Sequence, residues 1–449
     1  MMLLIAFIAI VVTCQEVYTA PNTTLNILAR NIHGDLPEPV LQRFSELHPN
    51  VSFEIIWGTS SDIDTKLTTV LAAGLPLDVV ISMSLRGWVS YAAQGLFLDL
   101  APYISADRQE LQGKGIPSFA LDSIKVHGAT PYVPYSIWSS WGTLYNATFF
   151  DEAGVVRPAA RWDDRQWTWS EMVKAAKKLT VTNSEGVISR PGLQLALNDL
   201  ALQGLSLAWG GDVFSAEAYA TGMVKEVTFD TPTNRRAFGH LLDLAVTHRV
   251  TNPQIYGRAI GNGSAAMALI EGGRLDPATY SRDYIWGMAP YPKPDEISER
   301  VAMPTWIRAA AISSRSTQPD LAWEFIKHLF TEAYDMGEFM LDGQPYSWNR
   351  HRGVNPNTWR QYVATISREF ELANSHADIV SFLIQGVGSY TRIAASNALV
   401  GGGETIHGTG TPLGMYLLQA SQGRISMEEA LMRAEQDAKH VLENIYRNM

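Results

Sequence analysis

Residues 51–81 read VSFEIIWGTSSDIDTKLTTVLAAGLPLDVVI, and the order of patterns within them decides the fold class. Val51, Phe53, Ile55 and Trp57 alternate with polar Ser52 and Glu54, the period of two that marks a half-buried strand. Ile63, Leu67, Val70 and Leu71 then recur at helical spacing, and Gly74 stands where a left-handed residue closes a helix. Leu77 to Ile81 reads as an apolar strand of the kind buried in a parallel sheet. Upstream, Leu25 to Ala29 is fit for a first strand. Val40, Leu41, Phe44 and Leu47 mark one face of a helix whose capping pair is Asp35 and Glu38 around Pro37. This β-α-β-α-β series predicts helices packed on a mainly parallel sheet.

Later helices announce their starts in the same way. Thr168-x-x-Glu171, Thr317-x-x-Asp320 and Ser426-x-x-Glu429 each place a hydroxyl acceptor and an acid at a helix N-terminus, where backbone N–H groups lack partners. Each is followed by an inward apolar face: Met172, Val173, Ala176 and Leu179; Ala322, Phe325, Ile326 and Leu329; Leu431, Ala434, Ala438, Val441, Leu442 and Ile445.

The chain has 449 residues, more than one average domain holds, so two α/β lobes are expected. Hydrophobic residues make up 46% and charged residues 18%, which excludes a disordered chain. A net charge of −10 repels nucleic acid and anionic lipid, so neither is an expected partner through bulk electrostatics. The single cysteine, Cys14, excludes a Cys/His zinc site, and there is no H-E-x-x-H, Gly-x-Ser-x-Gly elbow or phosphate-cradling loop. No cofactor or metal is expected, and no enzymatic activity. A secreted glycosidase is the enzyme alternative, since two carboxyls flanking a sugar bond leave no sequence signature; a rigid adhesion module is a third class.

Residues 1–20 read as an export segment. Met1 to Val12 are all apolar, too short a run to span a bilayer, and match the core of a secretory signal. No Lys or Arg precedes the run, which places the natural start a few residues upstream. Val11-Val12-Thr13-Cys14 is similar to a lipoprotein cleavage box, making Cys14 a lipidation candidate; the rival is cleavage after Ala20, with Tyr18 and Pro21 unfavourably placed. Lipidation would leave the mature chain without a free thiol, suiting an oxidising exterior.

Several segments, in order, carry a resemblance. Leu71-Ala72-Ala73-Gly74-Leu75-Pro76-Leu77-Asp78-Val79-Val80 resembles an Ala-Ala-Gly-x-x-Pro-Asp-Val segment, with Leu77 standing between Pro and Asp. Tyr145-Asn146-Ala147-Thr148-Phe149-Phe150-Asp151-Glu152-Ala153-Gly154 is followed by Trp167-Thr168-Trp169-Ser170-Glu171, and later come Val227 to Pro232, Gly263 to Met267 and Leu321 to Ile326. Together these resemble the extracellular solute-binding proteins of the maltose-binding-like group, from about Leu25 to the C-terminus. The resemblance implies a type II periplasmic-binding-protein fold: two discontinuous α/β lobes with a hinged ligand cleft. It divides the chain into lobe I, 21–135 plus 307–343, and lobe II, 136–306 plus 344–449. Crossings are expected near Pro134–Ser136, Trp306–Arg308 and Gln344–Ser347. The implied role is the monomeric substrate-binding receptor of a bacterial ABC importer, exported to the periplasm or the outer membrane face, with permease subunits as partners.

Ligand in open α/β sheets lies beyond the carboxyl ends of the strands. Loops there carry Asn31, His33 and Asp35 after the first strand, Trp57 after the second, Ser82, Ser84 and Arg86 after the third, and Trp138 after the crossing. Trp209-Gly210-Gly211 resembles the family's Gly-Gly turn, and Trp286, Trp306, Arg308 and Trp348 fall in late loops or crossings, with Arg274 a further rim candidate. With thirteen tryptophans available, indole faces suit the C–H face of a sugar ring while polar side chains suit its hydroxyl rim. A neutral mono- or oligosaccharide is the expected ligand, with glycerol phosphate the rival that the arginines keep open. Trp167, Trp169 and Trp323 lie in or beside helices and are expected in the core.

Overall fold

The computed structural model describes residues 23–347, 391–393 and 412–447, apart from 31–35, 37, 60–61, 82–90, 93, 115, 117, 119–120, 122–125, 127, 139–140, 160–163, 198, 222–223, 254–259, 272–280, 282, 299–302, 332–337 and 342–343. The chain begins β1 (Thr23–Arg30), α1 (Glu38–Leu47), β2 (Val51–Gly58), α2 (Ile63–Ala72), β3 (Val79–Ile81), α3 (Ala101–Gly113) and β4 (Val133–Trp138). It continues with β5 (Trp141–Asn146), α4 (Ala147–Glu152), α5 (Trp169–Leu179), β6 (Val181–Thr182), β7 (Ile188–Arg190), β8 (Leu193–Gln194), α6 (Asp199–Ala208), α7 (Ala216–Thr221) and α8 (Pro232–Val246). Then come β9 (Met267–Glu271), β10 (Trp286–Pro290), β11 (Met303–Ile312), α9 (Pro319–Thr331), β12 (Glu338–Leu341), β13 (Gln344–Ser347), β14 (Thr391–Ile393), α10 (Pro412–Ser421) and α11 (Met427–Arg447).

The opening β-α-β-α-β series folds as its periodicity requires. β1 pairs in parallel with β2 on one side and with β3 on the other, so that Ala29 faces Trp57 and Ile81 in register. α1 buries Val40, Leu41 and Phe44, but Leu47 is left exposed at its end. Phe44 meets Phe325 of α9 edge-on at 5.1 Å, and Phe53 of β2 lies 5.3 Å from the same ring. Each such side chain taken out of water contributes roughly 1.5–3 kcal/mol. α2 buries Ile63, Leu67, Val70 and Leu71, then stops where Gly74 turns left-handed (φ 66) and Leu75 N–H reaches Val70 O at 3.1 Å.

β3 is shorter than the strand expected over Leu77 to Ile81, a segment that contains Asp78. Asp78 is 3% exposed and sits before the strand, where its carboxylate accepts from Asn26 N–H (2.8 Å), Asn26 Nδ2 (2.9 Å) and Ser316 Oγ (2.6 Å). A buried carboxylate is tolerated because every oxygen finds a donor. It ties β1 to the start of α9.

Two large sheets result. The first has the order β14-β11-β3-β1-β2, with β4 paired to β11; the second has the order β10-β5-β9-β8. The chain leaves the first sheet along β4 into β5 and returns from β10 into β11. These two passages coincide with the crossings expected near Pro134–Ser136 and Trp306–Arg308, and β4 and β11 pair antiparallel with each other. Their register slips between Arg308 and Ala309, which leaves Tyr135 unpaired as a β-bulge. Gln344–Ser347 forms β13, paired in a hairpin with β12.

α5 and α11 have the caps their sequences predict. Thr168 Oγ1 accepts from Glu171 N–H (3.3 Å) and Ser426 Oγ from Glu429 N–H (3.1 Å). At α9 the hydroxyl of Ser316 accepts from Gln318 N–H instead (3.2 Å), and Asp320 accepts from the Tyr103 hydroxyl (2.7 Å). α10 packs on α6 and α8, and α11 packs on α8, so the C-terminal helices cover the second sheet's side.

Candidate functional site

The register of the first sheet locates its open mouth. β11 runs antiparallel to β3 with Ala310 opposite Ile81, the last residue of β3. Arg308 and Trp306 therefore extend two and four residues past the β3 carboxyl end, about 7 and 13 Å at strand rise. Trp138 lies opposite Trp306 and Ser136 opposite Arg308. On the far side of the mouth β2 ends at Trp57 and Gly58, beside Ala29 and Arg30 of β1. Three strand spacings separate β11 from β2, about 14 Å. The second sheet meets this region through Trp141 opposite Glu271 and Gly142 opposite Pro290.

Trp57 is 39% exposed on a well-formed strand. Its carbonyl accepts from Lys66 Nζ at 2.7 Å, and Lys66 pairs with Asp62 at 3.1 Å. Asp62 Oδ1 accepts from Thr59 N–H at 2.5 Å. That amide, more than Lys66, holds the Asp62 carboxyl below its usual range. Asp64, in the first turn of α2, Tyr91, ten residues beyond Ile81 in sequence, and Tyr132, just ahead of β4, act on one another electrostatically. Burial, then Asp64, pushes Tyr91 up to about 12, and burial pushes Tyr132 well above the usual phenol range. Both hydroxyls are neutral at physiological pH.

Two expected site residues, Trp209 and Trp286, are interior. Trp209 is 2% exposed, edge-on to Trp169 at 4.7 Å and stacked on His240 at 5.4 Å. It directly follows α6, which packs on β11, about 15 Å along the helix axis from Asp199. Gly210 and Gly211 close that helix: Gly210 is left-handed (φ 77), and the amides of Gly210 and Gly211 reach Leu207 O and Ser206 O at 2.9 Å. A Cβ on Gly211 would stand 2.4 Å from Asn234 Oδ1. Both glycines shape a tight turn. Trp286 is 4% exposed, opposite Asn146 at the end of β5 farthest from the crossing, about 17 Å from Trp141. Its indole donates to Ser281 O at 3.2 Å. Trp209 and Trp286 are thus buried among neighbouring side chains, whereas Gly210 is exposed and Gly211 half-buried. The turn and strand patterns that suggested a ligand-facing place also serve interior packing.

Trp167, Trp169 and Trp323 are buried, with Trp167 Nε1 donating to Thr143 Oγ1 (3.1 Å) and Trp323 Nε1 to Asp107 (2.7 Å). Asn31, His33, Asp35, Ser82, Ser84, Arg86, Arg274, Trp348 and Cys14 lie outside the described residues, while Trp138, Trp306 and Arg308 are placed by backbone register. The sequence reading did not select Lys66, Asp62, Asp64 or Tyr91. The i,i+4 spacing of Asp62 and Lys66 directly after a strand end was the available signal. Among the described residues no cluster of His, Cys, Asp and Glu could hold a metal ion, and no helix is long and apolar enough to cross a membrane.

Two α/β units joined by paired antiparallel crossings, with a mouth at the strand ends, define the type II periplasmic-binding-protein fold. Solved structures share it: an ABC substrate-binding protein from Listeria monocytogenes in complex with cycloalternan has 18% sequence identity and a TM-score of 0.65, covering 94% of this chain and 99% of that one. Maltose-bound MalE3 of T. maritima has 19% identity and a TM-score of 0.61, covering 93% and 100%. The family described as bacterial extracellular solute-binding protein matches residues 31–336, and the chain belongs to it. Membership makes it a binding protein and not an enzyme. A lactose-binding protein of Rhizobium radiobacter is 22% identical over 216 residues, 47% of this chain and 47% of that protein. A Brucella abortus binding protein is 29% identical over 134 residues, 29% of this chain and 30% of its own length. The aligned stretches thus span less than half of these curated relatives.

Proposed function

We propose that this chain is the receptor of an ABC importer, which captures a neutral mono- or oligosaccharide between its lobes and delivers it to a membrane permease. The observation that carries the reading is the grouping of tryptophans at one mouth: Trp138 and Trp306 are register partners beyond the β3 end, and Trp57 is exposed across from them. Indole faces match the apolar face of a pyranose, and carboxamide, carboxylate and guanidinium groups match its hydroxyls. The names of relatives point the same way with lactose, cycloalternan and maltose.

The lobes divide as 21–135 plus 307–343 and 136–306 plus 344–449. In support, α9 packs on α1 and α3, while α10 and α11 pack on α8. Ligand that contacts both lobes binds the closed arrangement better, and that difference drives closure. The receptor works as a monomer, held near its permease by a lipid on Cys14, which raises its local concentration there.

A thermal-shift screen with lactose, maltose, cycloalternan, ribitol and glycerol 3-phosphate tests this. A neutral saccharide should raise Tm without yielding cleavage products. A shift with glycerol 3-phosphate alone would transfer the reading to that anion, with Arg308 at the crossing as its partner; hydrolysis products would refute the receptor reading.

A further inference from the structure

We propose that Lys66 is a positioning residue for Trp57, holding the carboxyl end of β2 in the attitude that receives ligand; the proposal rests on the capture reading above. Among the described residues Trp57 is the one aromatic ring among the large exposed apolar side chains, and it stands next to last on its strand. Exposing an indole in water is unfavourable, so its presentation has to be maintained by something other than burial.

The connections around it form a closed circuit. Lys66 Nζ donates to Trp57 O at 2.7 Å and pairs with Asp62 at 3.1 Å; Asp62 Oδ1 accepts from Thr59 N–H at 2.5 Å. Trp57 and Thr59 are thereby held on both sides of Gly58. Gly58 itself rests on Ile63, where an added Cβ would lie 3.0 Å from the Ile63 Cβ. The Lys66 and Asp62 side chains are 39% and 41% exposed. Exposed pairs of this kind add little to global stability, so the consequence of the circuit is local geometry. An indole fixed before ligand arrives loses less freedom when the lobes close on it.

The test titrates lactose and maltose calorimetrically into wild type, Lys66→Met, Lys66→Arg, Trp57→Ala and the double variant Lys66→Met/Trp57→Ala. Lys66→Met should weaken binding about 5- to 20-fold with Tm nearly unchanged, and Lys66→Arg should stay within about twofold of wild type. With Trp57→Ala already present, Lys66→Met should add less than about twofold, because the lysine acts through the indole. Equal losses in both backgrounds, or no loss in either, overturn the proposal. Failure of the capture reading looks different: neither sugar binds wild type. The rate of Trp57 oxidation by N-bromosuccinimide in ligand-free protein, mapped by peptide mass spectrometry, then decides. A rate at least about threefold faster in Lys66→Met, reversed in Lys66→Arg, supports positioning, and equal rates in all three proteins overturn it.

Discussion

Trp138 stands directly opposite Trp306 in the antiparallel ladder of β4 and β11, the strands by which the chain leaves and re-enters its first sheet. Opposed residues in such a ladder form one cross-strand unit. The pair lies where the chain passes between its two large sheets, close to the bulge at Tyr135. In the proposed capture reading, ligand contact and lobe closure would converge on these two positions.

The first prediction follows from that pairing. Trp138→Ala and Trp306→Ala should each weaken sugar binding about tenfold or more, roughly 1.4 kcal/mol. The double variant should lose less than the sum, since directly opposed cross-strand positions couple. Trp209→Phe and Trp286→Phe should leave affinity within about twofold while lowering stability by about 0.5–3 kcal/mol. Calorimetric titration beside thermal unfolding separates the two groups; strict additivity at Trp138 and Trp306 would sink the idea that the pair is coupled.

Asp78 provides the second. Asp78→Ala would leave Asn26 N–H, Asn26 Nδ2 and Ser316 Oγ facing an empty acceptor position in the interior. Stranded donors of this kind cost about 2–3 kcal/mol, and Asp78→Asn, which keeps one acceptor oxygen, should cost less. Urea unfolding measures both, with the midpoint falling and the slope unchanged. Equal stability of wild type and Asp78→Ala would contradict the assigned role.

The two kinds of residue just considered show how much was legible beforehand. Period-two and helical spacing located β1, α1, β2, α2 and their core faces, because each local pattern buries against its neighbour in sequence. The same reading failed inside the run Leu77 to Ile81. Whether Asp78 can be buried depends on Asn26 and Ser316, which are 52 and 238 residues away. The mouth was legible as a topological rule, and Trp57, Trp138 and Trp306 fall on it. Trp209 follows α6 and Trp286 opens β10, but one sits at the far end of a helix and the other opposite the distal end of β5. Strand direction in the second sheet, which separates near from far, is set by long-range pairing that spacing does not encode.

Gly211 yields a third prediction. Asn234 is fully buried, its Nδ2 donating to Asp212 O (2.8 Å) and Thr228 O (2.6 Å), and its Oδ1 stands beside Ser206 Oγ (2.5 Å). A methyl on Gly211 would collide with that amide at 2.4 Å, and the amide cannot retreat without breaking its bonds. Gly211→Ala should therefore cost about 1–3 kcal/mol through overpacking, plus the broken bonds. Gly210→Ala, with open space but a left-handed backbone, should cost about 1 kcal/mol. Thermal unfolding ranks the two variants; the reverse order would refute the close-approach account.

The last prediction concerns pH. Lys327 of α9 pairs with Asp107 of α3 at 2.9 Å and with Glu324 at 2.8 Å, and its side chain is 11% exposed. Burial works to raise the Asp107 carboxyl, but hydrogen bonds from Trp323 and Lys327 prevail and hold it below the usual range. Burial works to lower Lys327, yet its bonds to Glu324 and Asp107 hold it above the usual amine value. A depressed carboxyl adds stability that is complete above its unfolded pKa of about 4 and fades as pH falls through the folded value. A raised amine adds stability that is complete below about 10.4 and fades as pH rises through the folded value. The stability difference between wild type and Lys327→Met should thus be largest between about pH 6 and 9, narrowing on both flanks. Urea unfolding at a series of pH values measures it. A difference that stays constant from about pH 3 to 8 would mean that Lys327 contributes through the packing of its stem and not through charge.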